Sequence, residues 1–307
     1  MSDTQHRVEF VADRGDAHLR LDQILTRRVT DVSRLSRTLA QRWIAAGAVT
    51  VDAVVATRGS SHVREGAAIG VDLPSDTVMR ERPEAEPGDL TVLYEDEWLL
   101  AVDKPPGIVV HPSYKQHHGT LLNRVLWHLP RGNDAVPGIL TRLDKDTSGI
   151  VVVALSPAVH ARLQRDAAAG RVMKDYLAIV RGQPTPAHGR ITQPLARDPD
   201  DRRRVVVAAA GAPSDTLYDT LATGADVSLL RCALVTGRTH QIRVHLAWSG
   251  WPVVGDRTYG TADTRIGRQA LHAWRIELPH PHTGNPLRLE APLPDDMGHL
   301  RAAGGLV

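Results

Sequence analysis

The sequence predicts an α+β protein of two unequal units, and three observations support this. At 307 residues the chain is about twice the length of an ordinary domain. A stretch of prolines and charges, PSDTVMRERPEAEPGD, carries no apolar period and reads as a solvated linker. Beyond it, short β-rich runs and helical segments follow one another irregularly, unlike the regular order of a doubly wound parallel sheet. The expected boundaries are a small unit over 18–74, a linker over 75–89 and a larger unit over 90–300. No GxGxxG or Walker sequence and no fixed-period repeat is present, so dinucleotide, P-loop and solenoid readings have no support.

In the small unit, HLRLDQILTRRV sets Leu21, Ile24, Leu25 and Val29 at helical spacing. A second helix is expected from about Leu35 to Ala46, with Leu35, Leu39, Trp43 and Ile44 inward and Gly47 as its stop. Arg34, Arg37 and Arg42 lie on its other side, and Arg27 and Arg28 end the first helix. Such a face suits a solvated surface as well as a polyanion. Two strand-like pieces follow, VTVD and IGVDL.

In the larger unit, TVLYEDEWLLAVDKPPGIVV predicts two strands around an acidic turn and then a Pro-Pro-Gly stop. GTLLNRVLWHL predicts a helix, GIVVVAL a buried strand, and SPAVHARLQRDAAAG a helix closed by Gly170. KDYLAIVRG alternates as a strand, as do parts of 227–235 and 271–278.

Composition narrows the function classes. The single cysteine, Cys232, rules out an internal disulfide framework and any zinc site built from several thiolates. The opening residues, MSDTQHRVEF, are polar and mixed in charge, unlike a secretory signal. Apolar runs such as 150–155 are far shorter than the ~20 residues a bilayer requires. The expectation is a soluble, cytoplasmic chain. With 37 basic and 35 acidic residues, long-range attraction alone does not demand nucleic acid. Only four of the cations are lysines, Lys104, Lys115, Lys145 and Lys174. Arginine binds phosphate in a planar, bidentate way, although codon bias in a GC-rich genome would give the same excess.

Two clusters could carry chemistry. TRLDKDTSGIVVVAL places Arg142, Asp144 and Asp146 before a buried strand. A carboxylate beside a cation is favoured in its charged form and can act as nucleophile or base, while a plain Asx-type turn is the alternative. In TGRTHQIRVHLAWSGWPVVGDRTYG, Thr236 and Gly237 are expected to open a helix whose amides and nearby Arg238 and Arg243 suit an anion. His240 and His245 are five apart, not four, and His111, His117 and His118 lack neighbouring carboxylates at ligand spacing, so no metal site is expected.

The motifs DKPPGIVVHPS, RLDKDTSGI, KDYLAIVRG, GRTHQIRVHLA, PVVGDRTYG, LHAWRIELPHPHTG and APLPDD occur in this order. With them the larger unit resembles the RluA/RluD family of RNA pseudouridine synthases. RLDQIL, SRLSR and WIAAGAVTVD likewise resemble the α-L RNA-binding domain named after ribosomal protein S-four. The resemblance implies a central mixed, mainly antiparallel sheet flanked by helices and loops, with the α-L domain holding RNA through Arg34, Arg37 and Arg42. It implies that Asp144 is the catalytic aspartate and that Arg142 enters the stack as the uridine leaves it. It further implies that Tyr176 packs against uracil, that Arg243 pairs with the catalytic carboxylate, and that Arg238 and His240 shape the site. Leu271 and His272 would be core and supporting residues. Most members have His where Thr141 stands, and RDPDDRRRVVVAAAGAPSDT follows the pattern poorly. Arg202–Arg204 there suit either phosphate contact or a solvated loop.

The implied reaction breaks the bond from ribose C1′ to uracil N1 and joins C1′ to C5, which requires no cofactor, redox group or metal. Asp144 would attack ribose, add to the base or remove a ribose proton. The implied partner is RNA, most naturally ribosomal, with no membrane and no evident protein partner. Rival readings are a non-catalytic RNA-binding ribosome-assembly factor and a hydrolase using an aspartate nucleophile on a small glycoside.

Overall fold

A computed structural model describes residues 6–29, 35, 37–73, 83–112, 116–130 and 137–306. The chain forms two compact units, Met1–Arg82 and Pro83–Val307. The smaller contains β1 (His6–Val11), α1 (Leu21–Arg28), α2 (Arg37–Ala45), β2 (Val49–Val51), β3 (Val54–Val55) and β4 (Ala68–Leu73). The strands pair antiparallel in the order β1-β4-β2-β3. The helical apolar positions Leu21, Ile24, Leu25, Trp43 and Ile44 bury against Val49, Ile69 and Val71. Leu39 is only half-buried at the edge of this core. Gly47, at φ +76°, turns the chain out of α2 in a conformation that favours glycine. Strand β1 was not expected. Its polar look hides an alternation in which Val8 and Phe10 are half-buried while Arg7 and Glu9 stay exposed.

The larger unit runs β5 (Thr91–Glu95), β6 (Leu99–Lys104), α3 (Leu121–His128), β7 (Gly138–Ile139), β8 (Ser148–Ala154), α4 (Pro157–Ala168) and β9 (Met173–Arg181). It continues with β10 (His188–Ile191), β11 (Leu195–Arg197), β12 (Val205–Val207), β13 (Thr216–Thr223), β14 (Val227–Leu234) and α5 (Gln241–Trp248). It ends with β15 (Leu271–Pro279), β16 (Pro286–Glu290) and α6 (Asp295–Ala303). Eight strands form the sheet path β10-β13-β14-β9-β15-β8-β6-β5, with β16 beside β15 and β7 beside β8. Among the described ladders only β15–β8 is parallel, so the fold is α+β around a mixed, mainly antiparallel sheet.

The apolar run of β8 follows from burial of both its faces. Val151 and Val153 join Leu100 and Val102 in a core that includes Leu121 and Val125 of α3. Ile150 and Val152 join Leu99 and Ala101 in a second core with Val159 and Leu163 of α4. Each fully buried valine or leucine contributes roughly 1.5–3 kcal/mol. Thr120 and Asn123 cap α3 reciprocally, and Ser156 with Pro157 opens α4.

Three sequence expectations differ from the structure. Residues 83–89 of the expected linker are hydrogen-bonded near α3, with Glu86 N donating to Asn123 O at 3.0 Å and the Glu86 carboxylate accepting from Gly119 N at 2.7 Å. The rest of that linker lies outside the described residues. Helix α5 starts at Gln241 and not at Thr236. The buried Gln241 amide gathers the preceding turn, accepting from the Thr236 hydroxyl and Arg238 N and donating to Asp215 O. The poorly matching segment 197–216 supplies β12 and the end of β11, a hairpin whose Leu195 and Val205 pack on Val244 of α5.

The parallel pairing sets His272 against Ser148 and Ala273 against Gly149, and Ala273 also faces Tyr176 of β9. The loop entering β8 therefore arrives at the sheet centre beside Tyr176. Gly149 has φ +111°, and a Cβ there would lie 2.2 Å from the Ala273 carbonyl oxygen. Substitution Gly149→Ala is therefore expected to destabilise the larger unit by ~3 kcal/mol. Urea unfolding followed by tryptophan fluorescence tests this, and a midpoint equal to wild type would refute the close-approach argument.

Candidate active site

The loop 141–147 between β7 and β8 carries Arg142 and Asp144, and buried donors hold its backbone. Lys104, fully buried, donates from Nζ to the carbonyls of Pro105 (2.8 Å), Ile108 (3.0 Å) and Lys145 (2.9 Å). Gly107 N donates to the same Lys145 carbonyl, so the Pro-Pro-Gly turn is tied to the residue after Asp144. Burial lowers the Lys104 pKa to about 8, against the pull of Asp146 and Asp144. Arg268 donates to the Asp146 carbonyl while forming a bidentate pair with Asp296 at the start of α6. Thr141 accepts Val152 N–H at 3.1 Å, which gives this position a defined part in joining the loop to β8. The Ser148 hydroxyl donates to Nδ1 of buried His272, whose Nε2 faces the Ala291 carbonyl. Burial lowers the His272 pKa to about 4, so it stays a neutral strut.

Asp144 emerges from this loop a quarter exposed. Its Oδ2 accepts from Arg243 Nη1 at 2.7 Å. The other edge of the same guanidinium is clamped by Asp256, with Nε to Oδ2 at 2.6 Å and Nη2 to Oδ1 at 2.9 Å. Asp256 is sealed from solvent and also accepts the amides of Thr258 and Tyr259. Burial disfavours the Arg243 charge, but the bonds and charges of the two carboxylates outweigh it and raise its pKa.

His240 stands on the other side of Asp144. Its backbone is left-handed, φ 55°, at the start of α5. Its Nε2 lies 3.8 Å from Asp144 Oδ1, and its Nδ1 lies 2.7 Å from the Tyr259 hydroxyl. That hydroxyl accepts Val205 N–H from the β11–β12 hairpin at 2.9 Å. Donor bookkeeping then favours Tyr259 O–H donating to Nδ1, which leaves the imidazole proton on Nε2, directed at the carboxylate. The opposite tautomer would aim a lone pair at a negative group. Burial lowers the His240 pKa against the opposing pull of Asp144, and this favours the neutral ring.

These groups line an open cleft of about 450 Å³. Arg142 is exposed on its wall and makes no ion pair or hydrogen bond among the described residues. Tyr176 reaches the cleft from β9 with little exposure. Burial, reinforced by the negative charge of Asp144, pushes its phenol well above the ordinary range, so the ring presents a neutral face to the cleft. Arg238 also lines the cleft, its Nε donating to the Pro213 carbonyl at 3.2 Å. Among the lining residues Asp144 is the sole acid, beside Arg142, Lys174, Arg197, Arg238 and Arg243. A carboxylate held open at the wall of a cationic cleft, next to an aromatic platform, can receive one nucleotide of a polyanion and attack it or take a proton from it.

The larger unit matches the family model described as RNA pseudouridylate synthase over residues 98–248. The chain is 41% identical to the ribosomal large subunit pseudouridine synthase D of Nitrosomonas europaea, over 98% of this chain and 89% of that one. The chain belongs to the RluA/RluD family of RNA pseudouridine synthases. The corresponding protein of Pseudomonas aeruginosa is 39% identical, over 90% of this chain and 89% of that one. Among solved structures, human RNA pseudouridylate synthase domain containing 1 matches with TM-score 0.55 and 29% identity, over 67% of this chain and 86% of that one. Human RNA pseudouridylate synthase domain containing 4 matches at 0.58 and 23% identity, over 71% and 94%, and shows the fold. The synthase is thus an isomerase converting uridine to pseudouridine in RNA.

Of the expected site residues, Arg142, Asp144, Tyr176, Arg238, His240 and Arg243 all line one cleft. Arg37 and Arg42 belong to the other unit and are exposed, and Arg34 lies outside the described residues. Sequence reasoning missed Asp256, Tyr259 and Lys104, although DKPPG and PVVGDRTYG were among the quoted motifs. The available signal was chemical, since a carboxylate or ammonium embedded in an apolar segment needs a buried partner.

Burial raises the Asp256 pKa, but Arg243 and the two amides outweigh it, leaving it below the ordinary 3.8. A depressed carboxylate contributes stability that is present above its unfolded pKa and lost as pH falls through the folded one. Asp256→Asn is therefore expected to cost ~3–5 kcal/mol at pH 7, with the gap from wild type closing as pH drops below about 4. Urea midpoints of both proteins across pH 3–8 check this, and a gap independent of pH would contradict it.

Proposed function

We propose that this synthase modifies uridines of large-subunit ribosomal RNA, with Asp144 as the catalytic carboxylate and with the smaller unit holding the RNA. The observation that carries the reading is the Asp144–Arg243 bond at 2.7 Å, open to a cleft on one side and locked by sealed Asp256 on the other. The ribosomal target is supported by the names of the relatives from Nitrosomonas and Pseudomonas. Such a substrate places the enzyme in the cytoplasm. No helix among the described residues is long and apolar enough to cross a membrane.

The target uridine leaves its stack at a cost of a few kcal/mol. Arg142, unpaired and exposed, offsets part of this by filling the vacated space with a planar cation. Tyr176 offers the flipped uracil a neutral aromatic face while the ring detaches and turns, which is a positioning effect. Asp144 acts on the ribose or the base, with its oxygens oriented by Arg243 and by the Nε2–H of His240. Arg238 borders the entrance for the flanking backbone.

In the smaller unit Arg28 and Arg27 are spent on Asp16, and Arg28 also pairs with Asp13. Arg37 keeps a 3.6 Å contact with Asp22 but is half exposed, and Arg42 has no ion pair among the described residues. Arg37 and Arg42 are therefore the cations of α2 available to phosphate, in agreement with the α-L resemblance.

Two outcomes test the proposal. With RNA tritiated at uridine C5, Asp144→Asn is expected to release no tritium while binding RNA as wild type does. Arg142→Ala is expected to slow single-turnover release by on the order of 10-fold or more, the equivalent of lost stacking compensation. Full activity of Asp144→Asn refutes the assignment, and tritium release absent even from the wild-type protein favours a non-catalytic assembly factor. Separately, Arg37→Ala and Arg42→Ala are each expected to weaken RNA binding and to lower the slope of log affinity against log salt by about 1. Unchanged slopes would remove α2 from the RNA interface. Pseudouridine maps of RNA from cells with and without the gene identify the modified positions.

A further inference from the structure

Lys174 lies two residues before Tyr176 on β9, so strand periodicity puts both side chains on the same face. Both line the catalytic cleft. The ammonium reaches the turn that precedes α5, where a Cβ on Gly237 would sit 3.5 Å from Nζ. The absence of a side chain at Gly237 leaves that space to the lysine.

Among the described residues, Lys174 differs from the other buried or half-buried cations of this region in having no hydrogen-bond or ion-pair partner, and from unpaired Arg142 in not being exposed. Arg243 is shared by two carboxylates, Arg238 donates to the Pro213 carbonyl, and Lys104 is spent on three carbonyls. Lys174 makes no hydrogen bond or ion pair with any described residue, although it is half-buried. Burial alone lowers its pKa, with no acid offsetting it. A cation desolvated without a counter-charge is costly, and a site can hold one where an anion arrives during the reaction.

We propose that Lys174 contacts the pyrimidine of the target nucleotide and stabilises the negative charge that the ring acquires when its bond to ribose is exchanged. This rests on the reading of Asp144 as the catalytic carboxylate. The C1′–N1 bond breaks with its electron pair remaining on uracil, so the ring carries one negative charge spread over N1, O2 and O4. Ribose C1′ is compensated through Asp144, by a C–O bond or by transfer of a ribose proton to that carboxylate, which is reversed later. C5 then bonds to C1′, the proton on C5 passes to solvent, and N1 takes one up, so no atom is gained or lost overall. If Asp144 adds to the ring instead, charge again develops on the pyrimidine. Each route places an anion against the Tyr176 face, where the neutral phenol cannot balance it and Lys174 can. Asp144 is fully occupied with ribose or ring at that moment, and Arg243 with Asp144.

The test compares Lys174→Met with wild type in the single-turnover rate at which the C1′–N1 bond is lost from RNA carrying uridine or 5-fluorouridine at the target, a step common to both although 5-fluorouridine has no C5 proton to release. Fluorine withdraws electrons and makes the detached ring a weaker base, so it needs less help from a cation. The expected loss on uridine is about 10²–10³-fold, as for removal of one oxyanion donor. The loss on 5-fluorouridine is expected to be several-fold smaller, with RNA affinity and melting temperature near wild type. Lys174→Arg, which keeps the charge, is expected to retain more activity than Lys174→Met, and Lys174→Gln provides the same substrate comparison if the methionine variant fails to fold. Equal losses on both substrates, or weakened RNA binding with unchanged chemistry, would overturn the proposal in favour of a packing role or a phosphate anchor. Asp144→Asn run in parallel separates the two readings. Its inactivity upholds the site whatever Lys174 does, whereas its activity would remove the site itself.

Discussion

One guanidinium divided between two carboxylates sets the geometry of the catalytic unit. Two carboxylates converge on Arg243, and gathering three charged groups out of water costs several kcal/mol per ion unless every lone pair and proton is matched. The match is unequal by design of the fold. Asp256 is sealed, takes two N–H groups of the guanidinium and two backbone amides, and has no oxygen left for other chemistry. Asp144 takes one N–H at 2.7 Å and keeps part of its surface in the cleft. The sealed acid fixes the cation, and the cation then fixes the open acid. An exposed Arg–Asp pair would hold neither side chain so firmly, because solvent screening and side-chain entropy leave such pairs worth about 0–1 kcal/mol.

The backbone beneath Asp144 is held with the same economy. Lys104 from β6 and Arg268 from the segment before β15 each donate to a carbonyl of the loop, at Lys145 and Asp146. Strands distant in sequence thereby converge on two consecutive peptide groups. The parallel β8–β15 pairing is possible at this point because Gly149 admits the Ala273 backbone, and it brings the loop and Tyr176 to opposite sides of the same two residues. Orientation of this kind lowers the entropy cost of a reaction that must detach a base, rotate it and rejoin it without losing it.

Much of this was legible in the residues and some was not. Periodicity identified α1, α2, α4, β8 and β9, because their apolar positions repeat over enough residues to define a face. It missed β1, where only two half-buried positions alternate, and the β11–β12 hairpin, whose strands are three residues each. It opened α5 too early, because Thr-Gly resembles a helix start and nothing local reveals that Gln241 folds the preceding turn back on itself. The residues that line the cleft stood out through motif order. Their supports did not, since what makes Asp256, Tyr259 and Lys104 matter is contact with residues up to 54 positions away, and contact is absent from a linear pattern.

The charge balance carries a further lesson. A net charge of +2 over the whole chain gives no hint of a polyanionic substrate. The fold redistributes that balance, pairing acids with arginines across the surface, as in Asp263 with Arg181 and Arg265, or Asp215 with Arg190. Inside the cleft the balance is uneven: five cations and one acid line its walls, and of those cations Arg142 and Lys174 make no hydrogen bond or ion pair among the described residues. Field lines from such a concave site are focused more strongly than those of the same charges on a convex surface. On the proposed reading, phosphates flanking a flipped nucleotide are drawn in by Arg142, Arg197 and Arg238, which make no bond to Asp144, and the acid meets only the one sugar and base presented to it. Attraction and reaction are assigned to different charges. A chain with almost no net charge can therefore bind RNA while keeping a carboxylate available at the point of chemistry.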